Sequence, residues 1–446
     1  MPDAETVLGL PPGPPLRLFH TVRYLRDPYA MLRECARRYD NLFTVRTARL
    51  CVVTGRPDLI RQIMTAPIDQ YGVAQEPGPA RVLGANSSTQ RAGRVLRRDR
   101  RLLVPPFHGE ALNAMGGAIR QASLTWFGRF KPGDSFVVRE VSADFALDVV
   151  LHTVFGAETE DELGDYRDAA LALRRCFEYS AILLHIAFHF DIDWLPPYRR
   201  LTAARGRLEV LLQQAIERAR SHPSASPAIL DRVVAGRYED GSPMPDGTIR
   251  DNMITSLIAG QESSVASLCW CFYWLHRERR CLDLLLQELE PLGPDADPMA
   301  WAALPYLDAV VKETLRLWPR ATEIYRLLAQ PMRLGRYELP AGTNIAAAPA
   351  ILHYDPDLYP DPDSFQPERF LKRRFGPHEF LPFGGGERLC PGAHLSVFEM
   401  KIVLATLLTR FRYTLLDDGP LTVRRMVALR APHTGVRMRV DAVVAR

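Results

Sequence analysis

From about Thr248 to His276 the chain is apolar nearly all the way round a helix, with Met253, Ile254, Leu257, Ile258, Val265, Leu268, Trp270, Phe272 and Trp274 spread over its faces. A helix with no polar side belongs in the middle of a large core, so the rest of the chain has to supply the layers that cover it. The 446 residues, 47% hydrophobic and 24% charged, are enough for such a core and too apolar for a disordered chain. The centre of the segment is nonetheless polar. Gly260-Gln261-Glu262-Ser263-Ser264 places four polar side chains in succession, which go right round the helix. Left unpaired in a core, each would cost about 1–3 kcal/mol. Two readings stand side by side: a kink satisfied by water or by carbonyls one turn back, or a polar notch that something in the core requires.

The remainder reads as mostly helix. Leu201–Arg220 (Leu208, Leu211, Leu212, Ile216), Leu307–Leu317 and Ala393–Phe411 (Leu395, Phe398, Ile402, Leu408) have helical spacing. Between Pro331 and Ala348 the texture changes to short strands and turns punctuated by Gly335, Pro340 and Gly342. His353–Phe383, rich in Pro, Asp and aromatics, is too irregular for either element. The expected class is mainly α with a small β portion. Length alone suggests about three domains, yet no Gly/Ser linker and no internal repeat divides the chain.

Several function classes drop out. Lys+Arg 56 against Asp+Glu 52 leaves a net charge of +4, and nearly all of the cations are Arg, a bias that speaks for genome composition before a nucleic-acid surface. The seven cysteines (35, 51, 176, 269, 271, 281 and 390) include no C-x-x-C pair, against both a disulfide framework and a structural zinc site. Leu10-Pro11-Pro12-Gly13-Pro14-Pro15 stands where a secretory signal would have its apolar core, and no run approaches the ~20 apolar residues that span a bilayer. The expectation is a cytoplasmic protein that engages neither membrane nor nucleic acid, in which the glycosylation sequon Asn86-Ser87-Ser88 has no meaning.

One cysteine stands apart. Phe383-Gly384-Gly385-Gly386-Glu387-Arg388-Leu389-Cys390-Pro391-Gly392-Ala393-His394 combines three glycines, which let a backbone approach a flat object closely, with a cysteine just before Pro391, taken as opening the last long helix. A helix N-terminus and the nearby Arg388 favour a thiolate there. Such a thiolate is a nucleophile, with His394 as the nearby base, or a metal ligand; only the second use explains the glycines.

The pattern Phe383-x-x-Gly386-x-Arg388-x-Cys390-x-Gly392 resembles the haem-binding loop of the cytochrome P-450 monooxygenases. Three further signals occur in family order: Ala259-Gly260-Gln261-Glu262-Ser263, Glu313-Thr314-Leu315-Arg316 and Phe365-Gln366-Pro367-Glu368-Arg369-Phe370. The resemblance runs from about Leu16 onward and replaces the three-domain estimate by one large haem-thiolate domain, 1–446, after a Pro-rich segment 1–15. It implies haem b, with Cys390 as the axial ligand of its iron, and Phe383, Gly392 and Ala259 beside the cofactor. Glu313 and Arg316, with Arg369, would form a buried structural network. The propionates would be met by Arg388, Arg326 and Arg100, the last on a helix, Gln90–Pro105, with arginines at 91, 94, 97, 98, 100 and 101. Where the family has a second propionate partner this chain has Leu96, for which Arg97 is the candidate replacement.

Glu262 and Ser263 would be the acid and alcohol that pass protons to bound O2, Ser263 standing where the family usually has Thr. The substrate pocket would be lined by the segment from Tyr71 to Ser88, by Leu257 and Ile258, by Ala321–Tyr325 including Ile324, and by a lid around Leu183–Trp194, whose His185 and His189 read as lid residues before zinc ligands. The implied activity is insertion of one oxygen atom of O2 into an apolar small molecule, a natural product by base rate. With no reductase domain following Arg446, electrons are expected from a ferredoxin and its ferredoxin reductase; the remaining arginines of the Arg-rich helix read either as a solvated face or as a docking patch for that acidic donor. The rivals are a peroxide-driven or redox-neutral haem-thiolate enzyme, and a non-catalytic haem- or ligand-binding protein.

Overall fold

A computed structural model of the chain describes residues 7–15, 17–46, 50–73, 77–157, 159–176, 192–222, 227–419, 423–426 and 429–444. Its contacts divide it into two units, Met1–Ala74 with Ala92–Arg97 and Lys312–Cys390, and Gln75–Arg91 with Arg98–Val311 and Pro391–Arg446.

The first unit is built on a five-stranded sheet in the order Leu42–Arg46, Leu50–Thr54, Asn344–Ala347, Ile324–Leu328, Tyr71–Gly72. Val52 pairs with Ile345 in parallel, and Arg326 pairs with Ile345 on the antiparallel side. Alternate side chains go to opposite faces. Leu42, Val52, Ile345 and Leu328 pack with Leu59, Ile60 and Ile63 of the helix Pro57–Thr65, while Phe43, Val45, Val53 and Ala346 pack with Tyr29 and Leu32 of the helix Pro28–Arg38. Both faces are covered, so the first two strands read as apolar runs without alternation. A smaller sheet joins Val7–Leu8, Tyr337–Leu339 and Met332–Leu334.

The second unit is helical around Asp246–Arg277, which packs against Val138–Thr153. The apolar segment thus forms one long helix, as its composition requires. Gly109–Phe127 packs on Ala393–Leu408; an added Cβ at Gly116 would come within 2.7 Å of Pro298 and 3.2 Å of Phe398, so glycine sets that approach. The ring of Phe127 stacks on Phe272 at 5.8 Å. A sheet of Phe411–Leu415, Arg437–Val443 and Ser135–Val137 and a hairpin of Val423–Met426 with Leu429–Pro432 complete it.

Three expected boundaries shift. The last long helix ends at Leu408, and Phe411 opens a strand in which Phe411 and Tyr413 are buried. The same helix begins at Ala393 behind the cap Gly392, so Pro391 lies in the turn before it. The Arg-rich helix runs over Gly93–Leu103 and leaves Arg91 outside. Among the described residues no helix is long and apolar enough to cross a membrane.

Candidate functional site

In the first unit the helix Pro305–Leu317 ends in Glu313 and Arg316, one turn apart and both fully buried. The Glu313 carboxylate accepts from Arg316 Nε at 2.7 Å and Nη2 at 2.8 Å, from Arg369 Nε at 3.0 Å and from the Gln366 backbone N–H at 2.8 Å. Arg316 also donates to the carbonyls of His353 at 2.7 Å, Pro362 at 2.8 Å and Ser364 at 3.1 Å. The three charged residues are therefore one hydrogen-bonded cluster, and it grips the irregular segment 353–369 by its backbone.

His353 extends this grip toward the glycine loop. Its Nε2 accepts from the Leu381 N–H at 2.9 Å, which leaves Nδ1 to donate to the Arg316 carbonyl at 3.1 Å. Burial, with the Arg316 charge beside it, pushes the imidazole down to about 3. Nothing in the sequence singled it out, because its role depends on a carbonyl from one segment and an amide from another.

The loop closes on itself through the Cys390 N–H, which donates to the Phe383 carbonyl at 3.0 Å, and the Leu389 N–H, which donates to the Gly386 carbonyl at 3.0 Å. Gly384 and Gly386 adopt φ +74° and +63°, and a side chain on Gly386 would overlap the Met64 carbonyl. A Cβ added at Gly384 would lie 3.7 Å from the Ile324 side chain. Six of the cysteines are buried, whereas Cys390 is partly exposed. Arg326, nearly buried, donates to the Gly385 carbonyl at 3.2 Å and the Tyr325 carbonyl at 2.9 Å, which fixes a guanidinium beside the loop. Arg388 lies on the turn Gly386–Arg388, and Ala321 is half-buried in the turn before the strand Ile324–Leu328. Arg97, the candidate second propionate partner, is exposed and donates to Glu387 at 2.9 Å. This surface pair, with both side chains 45% exposed, links the Arg-rich helix to the glycine loop, and Leu96 is buried beside it.

In the second unit Ser263 Oγ donates to the Ala259 carbonyl at 2.6 Å and lies 3.1 Å from that of Gly260. Ser264, next in line, hydrogen-bonds Glu399 of the last long helix, whose carboxyl burial raises to about 7. The polar stretch is thus satisfied partly by the helix's own carbonyls and partly by a buried neighbour. Glu262, Ile258 and Ala259 are half-buried, Leu257 is buried, and Arg100 is half-buried on the Arg-rich helix. His394, the base a nucleophilic cysteine would need, packs its ring on His108 with centroids 4.4 Å apart. Lid residues 183–191, including His185 and His189, lie outside the described residues.

A family model for cytochrome P450 matches residues 10–436. Cytochrome P450 135B1 of Mycobacterium tuberculosis is 30% identical over 442 residues, covering 98% of this chain and 92% of that one, and cytochrome P450 137 of the same organism is 30% identical over 466 residues, covering 98% and 92%. A solved structure of a retinoic acid-bound cyanobacterial CYP120A1 superposes with a TM-score of 0.82 at 22% identity over 98% of this chain and 100% of that one. The haem domain of cytochrome P450DA does so with 0.81 at 20% identity, over 98% of each chain. The chain belongs to the cytochrome P450 family. It is a haem-thiolate monooxygenase that binds haem b, uses O2 and an organic substrate, and receives electrons from redox partners.

Proposed function

We propose that Cys390 is the thiolate ligand of the haem iron, within a single haem-thiolate module spanning residues 1–446. One observation carries this: Cys390 alone among the seven cysteines is not buried, and it terminates a closed glycine loop. A thiolate donor, a backbone that can approach a flat group, and the held guanidinium of Arg326 fit a porphyrin with carboxylate arms. Arg326, Arg388 and Arg100 would meet the propionates, with Phe383, Gly392 and Ala259 against the macrocycle. Bound haem supplies the oxygen-binding and redox chemistry. Glu313, Arg316 and Arg369 hold the loop and take no part in the reaction.

Ser263 keeps its own proton on the Ala259 carbonyl, so its lone pairs are left to accept a hydrogen bond. To pass a proton on, the hydroxyl would turn off that carbonyl, and Glu262 is the acid that would then replenish it. Leu257, Ile258, Ala321 and Ile324 would face an apolar substrate, a natural-product skeleton by our reading, hydroxylated in the cytoplasm with electrons from a ferredoxin and its reductase. Arg94 and Arg98, exposed on the Arg-rich helix, favour an acidic donor.

Replacing Cys390 by Ser tests the ligand. The variant should lose the red-displaced Soret band of the reduced, carbon-monoxide-treated protein; retention of that band would refute the assignment. For Ser263, the variant Ser263→Ala should yield less product per electron consumed, and an unchanged yield would remove the residue from the relay.

A further inference from the structure

Residues 84–88 are held by side chains of the central helix. Asp251 Oδ2 accepts from the Asn86 N–H at 2.9 Å and Asn252 Oδ1 from the Ser88 N–H at 2.9 Å. Asn252 Nδ2 donates to the Asn86 carbonyl at 3.4 Å, and the Ser87 and Thr255 hydroxyls meet at 2.8 Å. The other oxygen of Asp251 pairs with Arg205 of the helix Pro196–Ser221, and Arg205 Nη1 donates to the Val82 carbonyl at 2.9 Å. Gly84, at φ +90°, lies so close that an added Cβ would overlap the Asp251 carboxylate. Asp251 and Asn252 are 5% and 4% exposed, and Ser87 is fully buried.

We propose that Asp251, clamped by Arg205, is a positioning residue that fixes the 84–88 wall of the substrate space and so limits the size of ligand admitted. The proposal rests on the reading of the segment 71–88 as pocket-lining. Its physical basis is that a partly buried loop amide needs an acceptor. Asp251 supplies one for Asn86, while its second oxygen is held by a cation that also binds the loop's own carbonyl at Val82. Remove the carboxylate and the Asn86 N–H loses its acceptor and the Arg205 clamp its anchor, so the loop is held less firmly on the helix. The same helix carries Leu257 and Ile258 nearly two turns further on, so a loosened loop widens the space without touching those side chains.

The test uses two nitrogen ligands of haem iron, imidazole and the bulkier 4-phenylimidazole, with the haem-loaded protein. Association is followed by the Soret shift. In D251A the association rate of 4-phenylimidazole should rise by about tenfold relative to that of imidazole, a change set by one lost buried hydrogen bond. R205A should reproduce this, and R205K should restore much of the original ratio. Amide exchange at Asn86 and Ser88 should quicken in both Ala variants. An unchanged ratio in R205A and D251A, or a parallel change for both ligands, would overturn the proposal; if D251A does not fold, the two Arg205 variants decide it. A Soret band that neither ligand shifts in the unaltered protein overturns the haem-site reading, and the positioning role with it.

Discussion

Glu313→Gln is the most informative single substitution. The carboxylate receives four hydrogen bonds, three from guanidinium groups and one from the Gln366 amide. The side chains of Glu313 and Arg316 are 0% exposed and that of Arg369 8%. An amide keeps the shape but offers one acceptor oxygen, turns an N–H2 toward a guanidinium and leaves two buried cations without a counter-charge. Breaking a buried pair in this way costs about 3–5 kcal/mol, a large share of the ~5–15 kcal/mol that holds a domain together. Asp363→Asn breaks a pair of similar geometry, Arg33 to Asp363 at 3.0 Å, with side chains 24% and 67% exposed; it should cost about 0–1 kcal/mol. Arg369→Ala, which leaves the Glu313–Arg316 pair intact, should fall between. Urea unfolding of the three variants, with haem retention measured alongside, should give that order. A Glu313→Gln protein within about 1 kcal/mol of Asp363→Asn would refute the assumption that this cluster secures the loop-bearing segment.

Two buried titratable groups set opposite limbs of the stability profile. His353 is neutral in the fold, its pKa pushed down from 6.5 to about 3, so the stability it contributes is present above about pH 6.5 and lost as pH falls toward 3; His353→Asn should flatten the acid limb measured by denaturant unfolding. Glu399 is raised from 4.5 to about 7, so stability is present at pH 4.5 and lost as pH rises through 7; Glu399→Gln should therefore match the parent near pH 4.5 and exceed it at alkaline pH, and a uniform offset would contradict this. Gly386→Ala places a Cβ at φ +63° and onto the Met64 carbonyl; it should weaken haem retention, whereas Gly117→Ala, which meets nothing within 4 Å, should not.

The parts of the site that the sequence made legible are those whose chemistry is local. The apolar segment around Trp270 could only be a central helix, and Glu313 and Arg316 share a face wherever their helix goes. The glycines before Cys390 announced a close backbone approach. What stayed hidden depends on partners far along the chain. His353 reads as one more residue in a Pro-rich stretch until Leu381 and Arg316 are brought to its two nitrogens. The ion pair of Arg97 with Glu387 joins residues 290 apart in the chain, so no local spacing could announce it. The strands Leu42–Arg46 and Leu50–Thr54 escaped notice because burial on both faces removes the alternation that marks a strand. The helix ending at Leu408 was overrun for a related reason: Phe411 continues a helical spacing while facing a sheet core.

The account depends most on a sulfur–iron bond at Cys390. The most direct measurement is the absorption spectrum of the freshly purified, haem-loaded protein after reduction and exposure to carbon monoxide. A strongly red-displaced Soret band, abolished by Cys390→Ser and untouched by Cys281→Ser, is the predicted result; a band at the position given by histidine-ligated haem in the undenatured protein would contradict it.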